Sequence, residues 1–203
     1  MNRLTIPLFP LNTVLFPGGP LPLRVFEPRY LDMVSRCLKT NTAIGICLIQ
    51  DGNETGEAAQ TYDVGTLGHI TYWQKRSDGL LGITVRGEQR FRICSRNVEP
   101  SQLIVAEVEP LPNDPMIPLS SDYDPMAGLL RGIMAQLDGP FGAMEKHYDD
   151  AAWVGARLVE LLPLDLAQKQ YFLQLDDAAQ RLERLRAVLC DMELWPQDGA
   201  KTG

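Results

Sequence analysis

Residue types that support catalysis occur in this sequence, but not at the spacings that catalysis needs. A phosphate-binding loop of the Gly-x-x-x-x-Gly-Lys-Ser/Thr type requires a Gly-Lys pair, and the chain contains none. A Ser–Lys dyad requires a desolvated lysine beside the serine, whereas Ser35 and Lys39 lie four residues apart, as on an exposed helix face. The sequence therefore predicts neither ATP hydrolysis of that type nor peptidase chemistry.

Metal-ligand spacing is also missing from the sequence. The cysteines at 37, 47, 94 and 190 form no Cys-x-x-Cys pair, so we expect reduced, mostly buried thiols. Glu145, His147 and Asp149 gather side chains that could hold a metal, yet acidic residues are favoured just before a helix in any case. We predict no metal and no cofactor. This cluster stays the best candidate for the third interpretation, an enzyme of unrecognised type.

One basic cluster stands out, formed by Arg86, Arg90, Arg92 and Arg96. Arg90 and Arg92 should share one face of a half-buried strand, so a solvated face is the simplest interpretation. The alternative is a contact with RNA or another anion, aided by Tyr72 and Trp73. Nineteen Lys and Arg against 26 Asp and Glu give a net charge of −7, which disfavours a broad nucleic-acid surface.

The opening segment combines prolines with many large apolar side chains. Leu21, Leu23 and Val25 can line a core on one face of a strand. Proline cannot donate a ladder hydrogen bond, so Pro20 and Pro22 indicate an edge strand. An edge beside apolar surface can dock an extended peptide. The candidate contacts for such a peptide are Phe9, Phe16, Pro20, Pro22, Tyr72 and Trp73.

The 203 residues, 45% of them hydrophobic, suffice for one large domain or two small ones, and their charge changes near residue 118. Residues 1–118 carry 11 basic and 12 acidic side chains, whereas residues 119–203 carry 8 and 14. Before this boundary, short apolar runs predict strands and one helix beginning at Pro28, with turns at Asp51–Gly52, Gly65–Gly68, Asp78–Gly79 and Gly87. After it, helical periods predict four helices, beginning near Asp124, Asp149–Asp150, Asp165 and Asp176–Asp177.

Several strings, in order along nearly the whole chain, resemble the N-terminal, substrate-binding domain of Lon proteases. The most specific is Phe26-Glu-Pro-Arg-Tyr30, within the string Leu21–Leu31; the others are Pro7–Gly18, Val64–Ile70, Val85–Ile93, Leu161–Leu166 and Leu175–Leu185. The resemblance implies an α+β fold, with a PUA-like β pseudobarrel and one inserted helix over residues 1–118. It implies a C-terminal four-helix bundle over residues 119–203, and a stand-alone member without the ATPase and peptidase modules.

The resemblance also implies a function, that of a non-catalytic module that binds unfolded or specific polypeptides. Such a module would act as an adaptor or as a binder of unfolded segments, beside a protease or chaperone system. We expect micromolar binding, because a disordered partner loses entropy on docking. The alternative is an RNA- or anion-binding domain that uses the four arginines, and self-association into a homo-oligomer stays open.

Within the motif, Glu27, Arg29, Tyr30 and Arg90 are expected to be structural. An unpaired carboxylate among apolar residues is costly, so we predict that Glu27 is partly buried and paired with Arg90 or Arg29. No run approaches the ~20 apolar residues of a membrane span, and no secretory signal is visible. We therefore expect a cytoplasmic protein that does not bind membranes.

Overall fold

The computed structural model describes residues 3–196 and divides into two compact units. The first contains the chain up to Asn113 together with Asp165–Leu173. The second contains Asp114–Leu164 and the chain from Gln174 onward. The first unit therefore includes a helical segment that the sequence boundary at 118 assigns to the C-terminal part.

Seven strands form one sheet: β1 (Leu4–Leu11), β2 (Pro20–Val25), β3 (Ile44–Asp51), β4 (Gln60–Thr61), β5 (Val64–Lys75), β6 (Leu81–Val98) and β7 (Ile104–Pro110). Five of them pair in a closed circuit, β1–β7–β6–β5–β3 and back to β1. The β1–β3 pair is parallel and the other pairs of the circuit are antiparallel. Outside the circuit, β2 pairs with β6 and β4 pairs with β3.

Six α-helices accompany the sheet: α1 (Pro28–Thr40), α2 (Asp124–Met134), α3 (Gly139–Ala143), α4 (Ala151–Leu161), α5 (Leu166–Gln174) and α6 (Ala178–Asp191). Helix α1 begins at Pro28, whose missing N–H costs nothing in the first turn, and ends at the left-handed Asn41. Its buried face packs Met33 and Val34 into a core cluster with side chains of β1, β3 and β6. None of the helices among residues 3–196 has the length and apolar character that crossing a bilayer requires.

Gly65, Gly68 and Gly87, from which the sequence predicts turns, lie inside strands β5 and β6. Strand β6 continues through Gly87, whose N–H donates to the carbonyl of Gly19 at 2.9 Å. A Cβ at this position would collide with the carbonyl oxygen of Phe16, so glycine is needed for close approach rather than for a turn. Gly65 and Gly68 likewise lie within β5, where other chain segments pack against them.

Helix α5 covers part of one sheet face within the first unit. The side chain of Gln170 is buried, and its Nε2 donates to the carbonyl of Val64 at 2.9 Å. The helix begins with a reciprocal cap, in which the Asp165 carboxylate accepts from the Gln168 N–H at 2.7 Å and the Gln168 side chain accepts from Asp165. The helix beginning at Asp165 is thus as predicted, and it packs against strands of the first unit.

The second unit contains α2, α3, α4 and α6, and aspartates cap two of these helices as the sequence predicts. Asp150 accepts from the N–H of Ala152 at 3.0 Å, and Asp177 accepts from that of Ala179 at 2.8 Å. The short α3 is not predicted, because Gly139–Ala143 shows no apolar period. Since α5 lies in the first unit, the expected bundle of four helices differs in membership from the helices found together here.

Candidate polypeptide-binding site

The two aromatic candidates of the first strand and its following loop are buried. Phe16 has 1% of its surface exposed and is a core residue, so its place among the peptide contacts is corrected. Phe9 is also buried, but its ring stacks on Tyr30 with 4.3 Å between the centroids and lines a pocket. Phe9 can therefore meet a guest only from the floor of that pocket.

This pocket, which we name the Tyr30 pocket, has a volume of about 260 Å³. Its lining comes from β1, β2, the turn into α1 and the segment between β3 and β4: Phe9, Leu11, Pro22, Leu23, Arg24, Val25, Phe26, Glu27, Tyr30, Glu54 and Thr55. Buried apolar and aromatic side chains form the floor, whereas Phe26, at the rim, is 55% exposed. The pocket thus offers apolar surface to solvent beside an exposed aromatic ring.

Tyr30, which lines this pocket, carries a hydroxyl group. The residue is 5% exposed, and its hydroxyl has no hydrogen-bond partner among residues 3–196. Burial raises the pKa of the Tyr30 phenol; the Arg29 guanidinium opposes this rise, and the carboxylates of Glu27 and Glu54 add to it. The phenol therefore stays protonated and can donate a hydrogen bond to a guest.

Buried Arg29 holds the rim of the Tyr30 pocket in place. Its Nη1 donates to the carbonyl of Gln102 at 2.8 Å, and its Nη2 lies 3.1 Å from the carboxylate of Glu27. The side chain of Glu27 is 18% exposed, so this acid is partly buried and paired, with Arg29 rather than Arg90 as partner. The Glu27 carboxylate also accepts from the N–H of Gly56 at 3.4 Å, which ties down the segment that carries Glu54.

A second pocket, which we name the Arg24 pocket, also borders β2, shares Pro22, Leu23 and Arg24 with the Tyr30 pocket, and has a volume of about 320 Å³. It is lined by Pro22, Leu23, Arg24, Tyr72, Gln74, Arg76, Gly82, Ile83 and Thr84. Pro22, Thr84 and Tyr72 are direct neighbours across β2, β6 and β5, so their side chains share one face. Gly82 leaves room there for the Arg76 side chain, which would lie 3.3 Å from an added Cβ.

Trp73 and Pro20 line neither of these two pockets. Trp73 is exposed and follows Tyr72 along β5, so it lies on the opposite face, in register with Ile83. Pro20 is half-buried and pairs with Arg86 at the start of β2. Of the six candidate contacts, only Phe9, Pro22 and Tyr72 therefore line one of the two pockets that flank β2.

The outer edge of β2 offers few hydrogen-bond donors. Among the described strands, β2 pairs only with β6. The Gly87 N–H donates to the carbonyl of Gly19. Because hydrogen-bonded and non-hydrogen-bonded pairs alternate along antiparallel strands, the backbone N–H and C=O groups of Leu21, Leu23 and Val25 then point toward β6. The backbone groups of Pro20, Pro22 and Arg24 then face outward. Only Arg24 keeps an N–H on that side, although all three keep a carbonyl.

The arginine cluster does not form one anion-binding face, which corrects the expectation for Arg90. Arg90 is buried, and its Nη1 donates to the carbonyl of Leu173 at 3.0 Å. Arg96 pairs with Asp63 at 2.6 Å, while Arg86 and Arg92 are exposed. Arg90 and Arg92 differ in burial because helix α5 covers the strand at Arg90.

The other chemical candidates of the sequence do not converge on a site. The Nε2 of His147 lies 3.9 Å from Glu145, and the described part of the chain holds no group of three or more His, Cys, Asp or Glu side chains placed to bind a metal. All four cysteines are free thiols. Cys37 and Cys47 are buried, whereas Cys94 and Cys190 are exposed, so the expectation of mostly buried thiols holds for two of four.

Sequence reasoning missed Phe26 as a contact, although a signal for it was present. Leu21, Leu23 and Val25 alternate inward, so extending the alternation by one residue places Phe26 outward with Pro22. Leu11 and Glu54 were missed for a different reason. They reach the Tyr30 pocket through long-range packing that no local pattern indicates.

A mixed sheet accompanied by helices defines a domain of the α+β class. Comparison with known proteins agrees: the model of the ATP-dependent protease La (LON) substrate-binding domain matches residues 5–191. The chain belongs to this family. The matched domain is non-catalytic, and these 203 residues hold no protease or ATPase module.

Individual relatives show how far the similarity extends. The Lon N-terminal domain protein of Xanthomonas campestris is 38% identical with a TM-score of 0.77, and the match covers 91% of this chain and 98% of that one. The N-terminal domain of the Mycobacterium avium complex Lon protease, 17% identical over 92% of this chain and 98% of that one, has a TM-score of 0.63 and shows the fold alone. Lon protease 2 of Herpetosiphon aurantiacus is 29% identical over 93% of this chain but 24% of its own length. The chain thus spans about a quarter of the curated relatives it matches.

Proposed function

We propose that this protein recognises unfolded polypeptide segments through the Tyr30 pocket. The observation that carries the proposal is a pocket of about 260 Å³ that is lined by buried Phe9, Leu11 and Tyr30 and also by solvent-exposed Phe26. Substrate recognition is the role for which the family is described, and this similarity supports the proposal.

The chemistry of binding is burial of one apolar side chain with one directed hydrogen bond. Burying apolar surface contributes roughly 25 cal/mol per Å², and the entropy lost by a disordered guest offsets much of it. The protonated hydroxyl of Tyr30 donates to a backbone carbonyl of the guest, which a folded protein keeps in its own secondary structure. Binding is therefore micromolar and selective for unfolded segments.

The same proposal extends to the cellular role of the protein and to the type of its β fold. The protein acts as an adaptor or client binder beside a protease or chaperone system, in the cytoplasm. The closed strand circuit corresponds to a PUA-like pseudobarrel. The similarity to Lon proteases, confined to their substrate-binding domain, supports the role as an adaptor or client binder. The pairing of β1 with both β3 and β7 supports the pseudobarrel.

The test compares one model protein in two states, permanently unfolded by reduction and alkylation, and natively folded. We expect binding of the unfolded form only, weakened about fivefold or more by Phe26→Ala. Trp73→Ala is the matched control, because Trp73 is equally exposed but lines neither pocket. Equal affinity for both states, or equal effects of the two variants, would sink the proposal.

Salt dependence separates this mechanism from binding of nucleic acid. An apolar contact responds little to salt or tightens slightly, whereas a phosphate contact weakens steeply as salt rises. We expect a flat salt response for the unfolded protein. A steep response, together with binding of an oligonucleotide, would instead favour the exposed pair Arg86 and Arg92 as an anion contact.

A further inference from the structure

Strand β5 extends beyond the strand that pairs with it on one side. Strand β3 pairs with β5 only up to Gly68, whereas β6 follows β5 on the other side as far as Lys75. Among the described strands, none pairs with the outer side of His69–Lys75, which we name the β5 edge. All residues from Thr71 to Lys75 are exposed, so this part of the strand is open to solvent on both faces.

The backbone groups of the β5 edge point alternately toward β6 and toward solvent. At the turn between the two strands, the Arg76 N–H donates to the carbonyl of Leu80 at 2.9 Å. Because hydrogen-bonded and non-hydrogen-bonded pairs alternate along antiparallel strands, the N–H and C=O of Gln74 also point toward β6. Those of Trp73 and Lys75 therefore point away from β6, into solvent.

The other end of the β5 edge adds Ile70 to these outward groups. The Gly87 N–H and C=O bond to the segment before β2, so the alternation along β6 turns the backbone groups of Arg86 toward β5. His69 is the partner of Arg86, and the next residue, Ile70, therefore points outward. The β5 edge thus presents three N–H and three C=O groups to solvent, those of Ile70, Trp73 and Lys75.

This edge differs from the edge of β2 in its supply of donors. On β2, Pro20 and Pro22 have no N–H, which leaves that of Arg24 alone. The β5 edge contains no proline. A row of free N–H and C=O groups along an exposed strand is a template on which an extended chain can add as a further strand.

The charges along the β5 edge indicate which kind of chain would add. The edge contains no acidic residue, and the ring nitrogen of His69 lies 2.8 Å from Glu88 of β6. Arg76, just beyond the edge, pairs with Asp78 at 3.1 Å. Exposed Lys75 has no carboxylate within 4 Å in the described part of the chain. Two copies paired at this edge would bring like charges together, whereas a neutral or acidic guest would not.

We infer that an extended, neutral or acidic polypeptide segment adds to the β5 edge as an extra strand, bound by backbone hydrogen bonds to Ile70, Trp73 and Lys75. The inference rests on the proposed function, since its guest is an unfolded polypeptide, and it adds a second contact to that of the Tyr30 pocket. A folded protein has its backbone groups paired within its own helices and strands. The β5 edge therefore selects unfolded segments without reading a particular side chain, and it rejects segments rich in proline.

The test uses a threonine-rich peptide with glutamate at both ends, long enough to span the β5 edge, in three forms. One is unmodified, one is N-methylated at alternate residues, and one is N-methylated at every residue. Alternate methylation leaves the N–H groups of one strand edge free, whereas full methylation removes them from both edges. By NMR titration, we expect the first two forms to bind equally and the third about tenfold or more weakly, because it cannot donate to the outward carbonyls.

Proline substitutions assign the contact to the backbone of the protein. Trp73→Pro removes one outward N–H, at a position where an edge strand tolerates proline, and should weaken binding of the peptide about two- to fivefold. Trp73→Ala keeps this N–H, so its effect should be smaller. Ser77→Pro is the matched control: Ser77 is exposed in the turn after the edge, where the Gly79 N–H donates to the carbonyl of Arg76, and proline is favoured at this turn position.

Amide exchange measures the contact in the unsubstituted protein, which keeps the test independent of how well Trp73→Pro folds. With the alternately methylated peptide in excess, the amide protons of Ile70, Trp73 and Lys75 should exchange about fivefold or more slowly than in the free protein. Gln74 is the internal reference, because its N–H already points toward β6 and its exchange rate should change little.

Failure of the β5 edge and failure of the Tyr30 pocket give different results. If the fully methylated peptide binds as tightly as the other forms, or if the three outward amides gain no protection, the inference is overturned, and a loss of affinity for the unfolded protein in Phe26→Ala still supports the proposed function. If the peptide results hold but Phe26→Ala has no effect, the β5 edge binds the guest and the Tyr30 pocket does not. A dimer of the protein that Trp73→Pro abolishes would mean that a second copy fills the edge, which also overturns the inference.

Discussion

Two neighbouring stretches of the chain, residues 7–19 and residues 20–27, are both rich in proline, leucine and phenylalanine but differ in exposure. In the first, Phe16 has 1% of its surface exposed; in the second, Phe26 has 55%. Composition alone therefore does not determine which stretch offers apolar surface to a guest.

The difference arises from the number of covered faces. Strand β1 lies between two core clusters, with Phe9 in one and Leu8 in the other. The loop after it is held on the sheet by the Thr66 hydroxyl, which donates to the carbonyl of Leu15 at 2.5 Å. Strand β2 has core on one face only, so its other face and its outer edge stay open. An apolar stretch remains available for binding where the fold leaves one face uncovered.

The largest effect expected from this comparison concerns Cys47, which lies next to Pro10 in the β1–β3 pair. Burial raises the pKa of the Cys47 thiol to about 12 from 9.0. The thiolate is the reactive form, so its fraction at pH 8 is on the order of a thousandfold lower than for an ordinary thiol. In variants that keep one cysteine each, Cys47 should react with a thiol reagent more than about a hundredfold more slowly than exposed Cys94. Similar rates would mean that the first stretch opens readily.

The next effect concerns stability. Phe16→Ala removes a fully buried aromatic ring and should lower the free energy of unfolding by about 3–5 kcal/mol. Phe26→Ala, the matched change in the open stretch, should alter it by less than about 0.5 kcal/mol. Urea denaturation of both variants, followed by circular dichroism, measures the difference. A comparable loss in the two would remove the distinction between the buried and the open stretch.

Local chemistry in the sequence was sufficient to predict much of the architecture. Proline at the start of α1 and aspartates before α4 and α6 mark helix starts. The first N–H groups of a helix have no partner within it, so an aspartate side chain that accepts from them is favoured, and a proline, which has no N–H, is tolerated. Alternation in Leu21–Val25 predicted the edge strand and its inward face. These features depend on neighbours a few residues away.

Features set by distant chain segments could not be predicted in the same way. A glycine such as Gly87 is typical of a turn. Here glycine is required because a Cβ would collide with the carbonyl of Phe16, about seventy residues earlier in the chain. Arg90 alternates like an exposed residue, but α5 covers it from a helix that follows more than seventy residues later. The Tyr30 pocket needs Glu54 and Leu11 beside α1, which is a result of tertiary packing.

The smallest effect concerns the hydroxyl of Tyr30 in helix α1, which lines the pocket beside the open stretch. Tyr30→Phe keeps the ring that stacks on Phe9 and removes a hydroxyl without a partner among the described residues, so the free energy of unfolding should stay within about 0.5 kcal/mol. If the hydroxyl donates to a guest carbonyl, affinity for an unfolded protein should fall about two- to fivefold, the value of one neutral hydrogen bond.

Isothermal titration calorimetry with the unfolded model protein measures this loss, and Tyr72→Phe is the control, because that exposed hydroxyl already bonds to Gln74 at 3.0 Å. Unchanged affinity in Tyr30→Phe, together with a loss in Phe26→Ala, would reduce the Tyr30 pocket to a purely apolar contact. Recognition would then depend on the shape of the open stretch alone, and backbone exposure in the guest would no longer be what separates unfolded from folded clients.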